Sequence, residues 1–271
     1  MLSPVLGKAR FQPLFEKLLA VALAGLNVGE GAHPLSSGET FVLRYLRDRV
    51  FASEARVIVF DVGANTGVYT RTVLDAFGSS ATVFAFEPAT KAFEMLAFGL
   101  KHEPNVKPYN LGFGDEEGEV TLFSAGEGSK LGSLYDTSDR LARVGLVMKQ
   151  RERVTLTTID AFCERERIGR INFLKLDVEG HELKILEGSR AMLDRGAIDV
   201  VQFEFGAANI DSRTFFKDFY EFLITRFAMY RILQDGLFPL TEYKETYEVY
   251  KRATNYLAVR RELVTPRESQ S

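Results

Sequence analysis

Cysteine occurs once in the 271 residues, as Cys163. A single thiol excludes a disulfide framework and a cysteine-built zinc site. Its setting, Ile159 to Cys163, reads as a helix face and makes it a buried, inert thiol. Histidine is nearly as scarce: with three in the chain, none stands at a metal-ligand spacing from His181. There is no long basic block and the formal net charge is −3, so the footprint of a nucleic-acid binder is missing. No apolar run is long enough to span a bilayer. Lys8 and Arg10 precede the apolar run Leu18 to Ala24, in the manner of a short signal peptide. Pro13, Glu16 and Lys17 interrupt that pattern and no clear small-residue cleavage site follows, so the run reads as an amphipathic helix covering the domain. The chain reads as cytoplasmic, without a membrane span.

What is present is ample core material, 46% hydrophobic residues in a length that suits one large α/β domain with a terminal extension. The organising stretch is VIVFDVGANTG, Val57 to Gly67. Val57 to Phe60 is β-branched and apolar throughout, the signature of a strand buried on both faces. It ends on Asp61, turns at Gly63, and passes Asn65, Thr66 and Gly67 into a helix over Val68 to Phe77. Strand, glycine turn and helix make either a nucleotide site, with amides at a helix start aimed at an anion, or simply a tight turn. The dinucleotide fingerprint is absent, because Asn65 stands where its second glycine belongs.

Strands and helices then alternate, the pattern of a doubly wound parallel sheet. A second strand, Ala81 to Phe86, stops at Glu87-Pro88, where Rossmann-like sites place an acid for ribose hydroxyls. A helix over Ala89 to Gly99 and a strand over Val106 to Leu111 follow. Gly114 to Gly118 reads as a hairpin turn into a strand at Glu119 to Phe123. Ser124 to Gln150 is irregular, a lid over an acceptor pocket or a plain surface loop, with Gly132-Ser133-Leu134-Tyr135 its most specific-looking part. Arg151 to Thr157 alternates as a strand. Before all of this, Glu39 to Val50 reads as a second helix, so residues 1–55 form a helical cap on a domain of residues 56–263. Residues 264–271 read as a disordered tail.

The second constellation is INFLKLDVEGHELKILEG, Ile171 to Gly188. A buried strand ends on Asp177, and Glu179-Gly180 turns into a helix whose first turn holds His181 and Glu182. Another strand, Ile198 to Phe205, carries Glu204 near its end. Ligands in open α/β sheets sit beyond the carboxyl ends of strands. Asp61, Glu87, Asp177 and Glu204 should therefore face one crevice, and buried acids argue for a polar ligand. His181 reads equally as a solvated helix-start residue or a catalytic one. Glu182 reads as a helix N-terminal acid favoured by the dipole.

DVGANTG, the strand ending in FEP, the turn GDEEG and LKLDVEGHELKILEG together resemble the FkbM family of S-adenosylmethionine-dependent methyltransferases. The resemblance runs from Val57 to Phe205 and more weakly to Val259. It implies a class I methyltransferase (Rossmann-like) sheet, mostly parallel, with helices on both faces and a C-terminal antiparallel hairpin. Tyr230 to Leu233, Leu237-Phe238 and Asn255 to Arg260 suit that hairpin, after a helix at Thr214 to Thr225. It further implies S-adenosyl-L-methionine as cofactor and O-methylation of a hydroxyl on a small-molecule sugar or glycosylated or polyketide metabolite. Carried onto this sequence, Gly63, Asn65, Thr66 and Gly67 surround the methionine part. Asp61 holds its amino group directly or through water, Glu87 binds the ribose, Gly112 neighbours adenine, and Asp177 lies nearest the methyl group.

Transfer to an alcohol needs alignment and a group that takes the proton. Asp177 is the expected base or orienting group, with Glu204, Glu179 and His181 behind it. A divalent cation on Asp177 and Glu204 is a less favoured alternative. A nicotinamide-dependent oxidoreductase and a non-catalytic S-adenosylmethionine-binding module are the rival readings. The missing glycine and the second motif disfavour the first, and the intact Asp177-Val178-Glu179-Gly180 run the second.

Overall fold

A computed structural model describes residues 5–31, 37–124, 132–135, 137, 142 and 150–264. Strands β1 (Val57–Val62), β2 (Ala81–Phe86) and β3 (Val106–Tyr109) open the main sheet. A second, smaller sheet follows, built from β4 (Gly112–Phe113), β5 (Gly118–Ser124), β6 (Gly132–Ser133) and β7 (Gln150–Thr157). The main sheet resumes with β8 (Ile171–Leu176), β9 (Ile198–Gly206), β10 (Phe227–Ile232), β11 (Leu237–Pro239) and β12 (Ala253–Arg260). Its order among the described residues is β11-β10-β12-β9-β8-β1-β2-β3. From β9 to β3 neighbouring strands run parallel, while β12 is antiparallel to both β9 and β10. That is the class I methyltransferase arrangement expected from the sequence, closed by its C-terminal hairpin.

Strands without alternation demand cover on both sides, and every residue of β2 and β8 is buried. Helices α1 (Gln12–Gly25), α2 (Glu39–Tyr45), α3 (Val68–Phe77) and α4 (Thr90–Gly99) come first in the chain. Later come α5 (Ile159–Glu166), α6 (Glu182–Glu187), α7 (Arg190–Asp194), α8 (Ala208–Ser212) and α9 (Phe216–Leu223). Val42, Leu43, Val73 and Leu96, from α2, α3 and α4, pack with Val59, Val83 and Phe173 on one face. Phe162, Ile185, Met192 and Phe219, from α5, α6, α7 and α9, pack with Phe60, Phe86 and Phe203 on the other. Cys163 is buried in that second core, and burial pushes its thiol up to about 12, which makes it unreactive.

Two expectations need correction. Helix α1 forms, but it does not cover the domain: none of its residues is buried and none belongs to either core. The turn Gly114 to Gly118 does not join paired strands. Instead β4 and β5 lie on opposite sides of β7, parallel and antiparallel to it, because β7 supplies the edge that both need. The helix expected over Glu39 to Val50 is present: its α part ends at Tyr45 and it widens into a π turn over Leu46–Val50, closed by Phe51 N–H donating to Leu46 O at 2.7 Å. The tail from 265 onward, and the lid expectation for 125–131, 136, 138–141 and 143–149, lie outside the described residues.

Phe162 sets its ring edge-on to Phe60, Phe84, Phe86, Tyr109 and Phe113, with centroids 5.0–6.4 Å away. Edge-to-face pairing adds to the burial it already supplies. Phe162→Ala should therefore lower unfolding free energy by about 3–5 kcal/mol in urea titration. A loss near 1 kcal/mol or less would mean that this cluster is not a keystone of the second core.

Candidate functional site

The chain runs outward from β1 through β2 to β3 on one side and from β8 to β9 on the other. Between β1 and β8 the winding reverses, and a crevice at the carboxyl ends must open there. A cavity of about 550 Å³ lies at that point, lined by Gly63 to Thr66, Glu87, Gly112, Asp177 to Glu182 and Glu204 among others. Its size is that of a small-molecule site.

The loop after β1 is fastened to the end of β2. Gly63 and Ala64 N–H both donate to Phe86 O, at 3.0 and 2.9 Å. Asn65, in the left-handed region at φ 48°, donates its N–H to Glu87 Oε2 at 2.9 Å. Ala89 N–H donates to Glu87 Oε1 at the same distance. The Glu87 carboxylate is thus oriented by two amides, which leave lone pairs on both oxygens for a ligand. Burial pushes Glu87 up to about 7 despite those amides. Gly63 is obligatory: at φ 82° a Cβ there would stand 1.9 Å from Asp177 O.

Two residues expected at the crevice lie elsewhere. Asp61 is wholly buried and does not line the cavity; its Oδ2 accepts from Thr70 Oγ1 at 2.6 Å. Side chains alternate across a strand, so Asp61 points into the layer beneath α3 while the loop after Val62 forms the wall. Its Oδ1 has no partner among the described residues, and burial raises its affinity for a proton. Gly67 also stands off the cavity. Its left-handed backbone at φ 85° starts α3, and a Cβ there would meet the Leu96 and Leu100 side chains of the α4 region.

On the β8 side, Asp177, Glu179, His181 and Glu204 all line the cavity. Asp177 N–H donates to Val62 O at 3.1 Å, knitting the two strand ends together. Glu179 takes a left-handed backbone at φ 54°, followed by Gly180 at φ 102°. Glu182 is buried, and its Oε1 accepts from Val178 and Gly180 N–H at 3.0 and 3.3 Å. It caps the turn from the cavity wall, and burial lifts it to about 7. His181 is held to about 4, chiefly by burial, so its imidazole is neutral. Nδ1 lies 3.0 Å from Tyr135 OH, and Nε2 finds no partner among the described residues. Ser133 Oγ donates to Glu179 O at 3.0 Å, and Gly132 and Leu134 line the cavity, so the described part of the irregular segment docks against the site.

The sequence reading missed the residue at the centre. Lys175, in β8, is 3% exposed and donates from Nζ to Asp177 Oδ2 at 2.8 Å. It lies 3.9 Å from Glu39 Oε1 and 4.5 Å from the centroid of the Tyr69 ring. Burial opposes its charge, but Asp177, Glu39 and Asp61 outweigh burial and hold the ammonium above its ordinary value. Glu39, at the start of α2, accepts from Gln202 Nε2 at 3.0 Å and from Ser37 Oγ at 3.1 Å. Gln202 in turn accepts from Tyr69 OH at 3.2 Å. A lone lysine inside the apolar run Ile171 to Leu176 was the available signal for Lys175. Nothing in the sequence placed Glu39 beside it.

Glu204 lacks such a partner. Burial, then the nearby charges of Asp177, Glu179 and Glu182, lift its carboxyl well above the usual range. Among the described residues no group of three or more His, Cys, Asp or Glu is arranged for a metal ion. The alternative of a divalent ion on Asp177 and Glu204 does not fit this donor set, because the Lys175 ammonium already holds the place beside Asp177. Replacing the ammonium with an isosteric apolar chain should expose how much it neutralises. Lys175→Met should cost about 3–5 kcal/mol at pH 8, where Glu39 is left as a buried charge without its ammonium. The loss should shrink toward pH 5 as Glu39, whose proton affinity burial raises, takes up its proton, read by urea unfolding at both pH values. An equal loss at both would show that packing alone is at stake.

The chain is similar to the hexuronic acid methyltransferase AglP of Haloferax volcanii, 27% identical over 172 residues, which are 62% of this chain and 64% of that protein. It is also similar to methyltransferase 1 of Beauveria bassiana, 26% identical over 147 residues, covering 48% and 57%. Among solved structures, the FkbM methyltransferase from Methylobacillus flagellatus KT superposes with a TM-score of 0.44 at 14% identity, covering 76% of this chain and 44% of that one. The chain spans less than two thirds of the length of the curated relatives it matches, 64% and 57%. The stretch from Asp61 to Ile232, which holds the glycine loop, Glu87, the Lys175–Asp177 pair and Glu204, matches the methyltransferase FkbM domain over residues 61–232, and the chain belongs to that family.

Proposed function

We propose that this chain is an S-adenosylmethionine-dependent methyltransferase that methylates a hydroxyl of a small sugar-like acceptor. The observation that carries the reading is the Glu87 carboxylate, fixed by the Asn65 and Ala89 amides on the wall of the cavity beside Gly63. Its remaining lone pairs can accept both hydroxyls of a ribose. Gly63, Ala64, Asn65 and Thr66 would form the wall around the methionine part, with Asp61 supporting them from below. Gly112, Leu156 and Pro88 make an apolar wall suited to an adenine face. When bound, the cofactor supplies a methyl group on a positively charged sulfur, which the acid-rich wall of the cavity attracts.

On the acceptor side the two strand-end acids divide the work. Asp177, 42% exposed to the cavity and tied to Lys175, is suited to orient a hydroxyl. Burial and the neighbouring acids raise the proton affinity of Glu204 well above the ordinary range, which favours its taking up a proton from the acceptor. It takes the proton that the acceptor hydroxyl sheds as its oxygen bonds to carbon. Arg252 also lines the cavity, just beyond the end of β9, and its guanidinium meets no acid among the described residues. A free guanidinium favours an acceptor that bears a carboxylate or phosphate. That agrees with the relative named for a hexuronic acid.

Isothermal titration with S-adenosylhomocysteine tests the reading. Wild type should bind at micromolar affinity, and Glu87→Gln should weaken binding at least tenfold. The carboxylate is the better acceptor, so wild-type affinity should hold above pH 7 and fall about tenfold per unit below it, as Glu87 takes up its proton. Glu87→Gln cannot titrate and should lose that slope; absence of wild-type binding would end the methyltransferase reading. For the chemical step, Glu204→Gln should lower kcat by about 10²–10⁴-fold with cofactor affinity intact, followed as methyl transfer to a sugar-acid acceptor. An unchanged rate would remove Glu204 from the chemistry and return Asp177 as the base.

A further inference from the structure

Helix α1 is a long apolar element that the fold leaves uncovered. Six of the twelve large apolar side chains exposed among the described residues fall on this segment: Leu6, Leu14, Leu18, Leu19, Val21 and Leu26. Leu14, Leu18 and Val21 are spaced i, i+4 and i+7, which puts them in one stripe along the helix, 53%, 53% and 70% exposed. A patch of this kind on a folded chain marks a surface that something else covers.

The root of the helix is fixed while its body is free. Asn27, in the left-handed region at φ 58°, donates from Nδ2 to Ile232 O at 3.0 Å. Gly29 N–H donates to Thr254 Oγ1 at 2.8 Å, and Gly31 N–H to Ala253 O at 2.8 Å. Residues 27–31 are therefore stitched to the ends of β10 and β12, and α1 projects from that seam as an arm. Gly31 and Ala253 also line the cavity. The root of the arm is therefore part of the cavity wall.

Charge decides between the candidate occupants. Between residues 5 and 26 the chain carries Lys8, Arg10 and Lys17 against Glu16, a local charge of 3 − 1 = +2. The whole chain is −3, so the remainder is −3 − 2 = −5. A second copy would bring one basic arm against another. An anionic bilayer surface offers the opposite sign to the arm and repels the rest, and an apolar stripe flanked by basic residues is the pattern of a helix lying in the lipid interface. No helix among the described residues is long and apolar enough to cross a membrane, so the contact is one of lying on the surface.

We propose that α1 docks this protein reversibly on anionic phospholipid surfaces, holding the cavity mouth beside the headgroups, where a lipid-borne acceptor would present its hydroxyl. The test is co-sedimentation of the full chain with vesicles of phosphatidylcholine, alone or mixed with phosphatidylglycerol, at low and high salt. Wild type should pellet with the mixed vesicles at low salt and be released by high salt, and should stay in solution with phosphatidylcholine alone. Leu18→Glu with Val21→Glu should reduce the bound fraction at least tenfold. These side chains touch neither core, so the thermal midpoint should not move. Wild type remaining in solution with both vesicles would overturn the proposal, as would equal pelleting of the double variant. A wild-type dimer in sedimentation velocity that the double variant converts to monomer would also overturn it, by assigning the stripe to a second copy.

Discussion

The site depends on one buried cation. Lys175 sits inside a strand that is covered on both faces, where an ammonium alone would be intolerable. Asp177 at 2.8 Å and Glu39 at 3.9 Å make it tolerable, and it does the same for them. Because those acids come from the end of β8 and the start of α2, the pairing joins the N-terminal segment to the strand that carries the chemistry. Gln202 and Tyr69 extend the connection to β9 and α3. Four separated parts of the chain are held in register by one charge, and the cavity wall is what they form.

The acids around the cavity are unequal for physical reasons. Glu87 has two amides, Asp177 an ammonium, Asp61 a hydroxyl, and Glu204 mainly other acids. For Glu87, Asp61 and Glu204 burial is the first cause of a raised proton affinity, and the neighbours each one keeps then modify it. In the proposed reading these four acids at or near strand ends would serve as an orienting group, a clamp, a support and a base. Residue type does not distinguish these roles, because all four are carboxylates. Only the distance to a donor or to another acid does.

A tightly tied site and a sparsely packed N-terminal helix stand side by side in this fold. The loop after β1 is pinned to β2 and the turn after β8 to β1, leaving little freedom where alignment matters. Helix α1 touches neither core, so its stability in isolation is marginal and a partner surface would add to it. Its root, stitched beside Gly31 and Ala253, makes the arm a neighbour of the cavity rather than a remote appendage.

The sequence by itself determined the strands, the glycine turn and the acids at the strand ends. These are local properties: β-branched runs, a backbone that only Gly63 can adopt, and carboxylates that interrupt apolar stretches. What only the tertiary structure decided depends on partners far apart in the chain. Asp61 and Gly67 belong to the motif but not to the cavity wall, because the strand's alternation and the packing of α3 on α4 turn them inward. Lys175 read as part of a motif and proved to be its counter-charge once Glu39 was brought beside it. Helix α1 has the composition of a covering helix, yet among the described residues it joins neither core. A helix can announce an apolar face in sequence, but what meets that face is a property of the assembled surface.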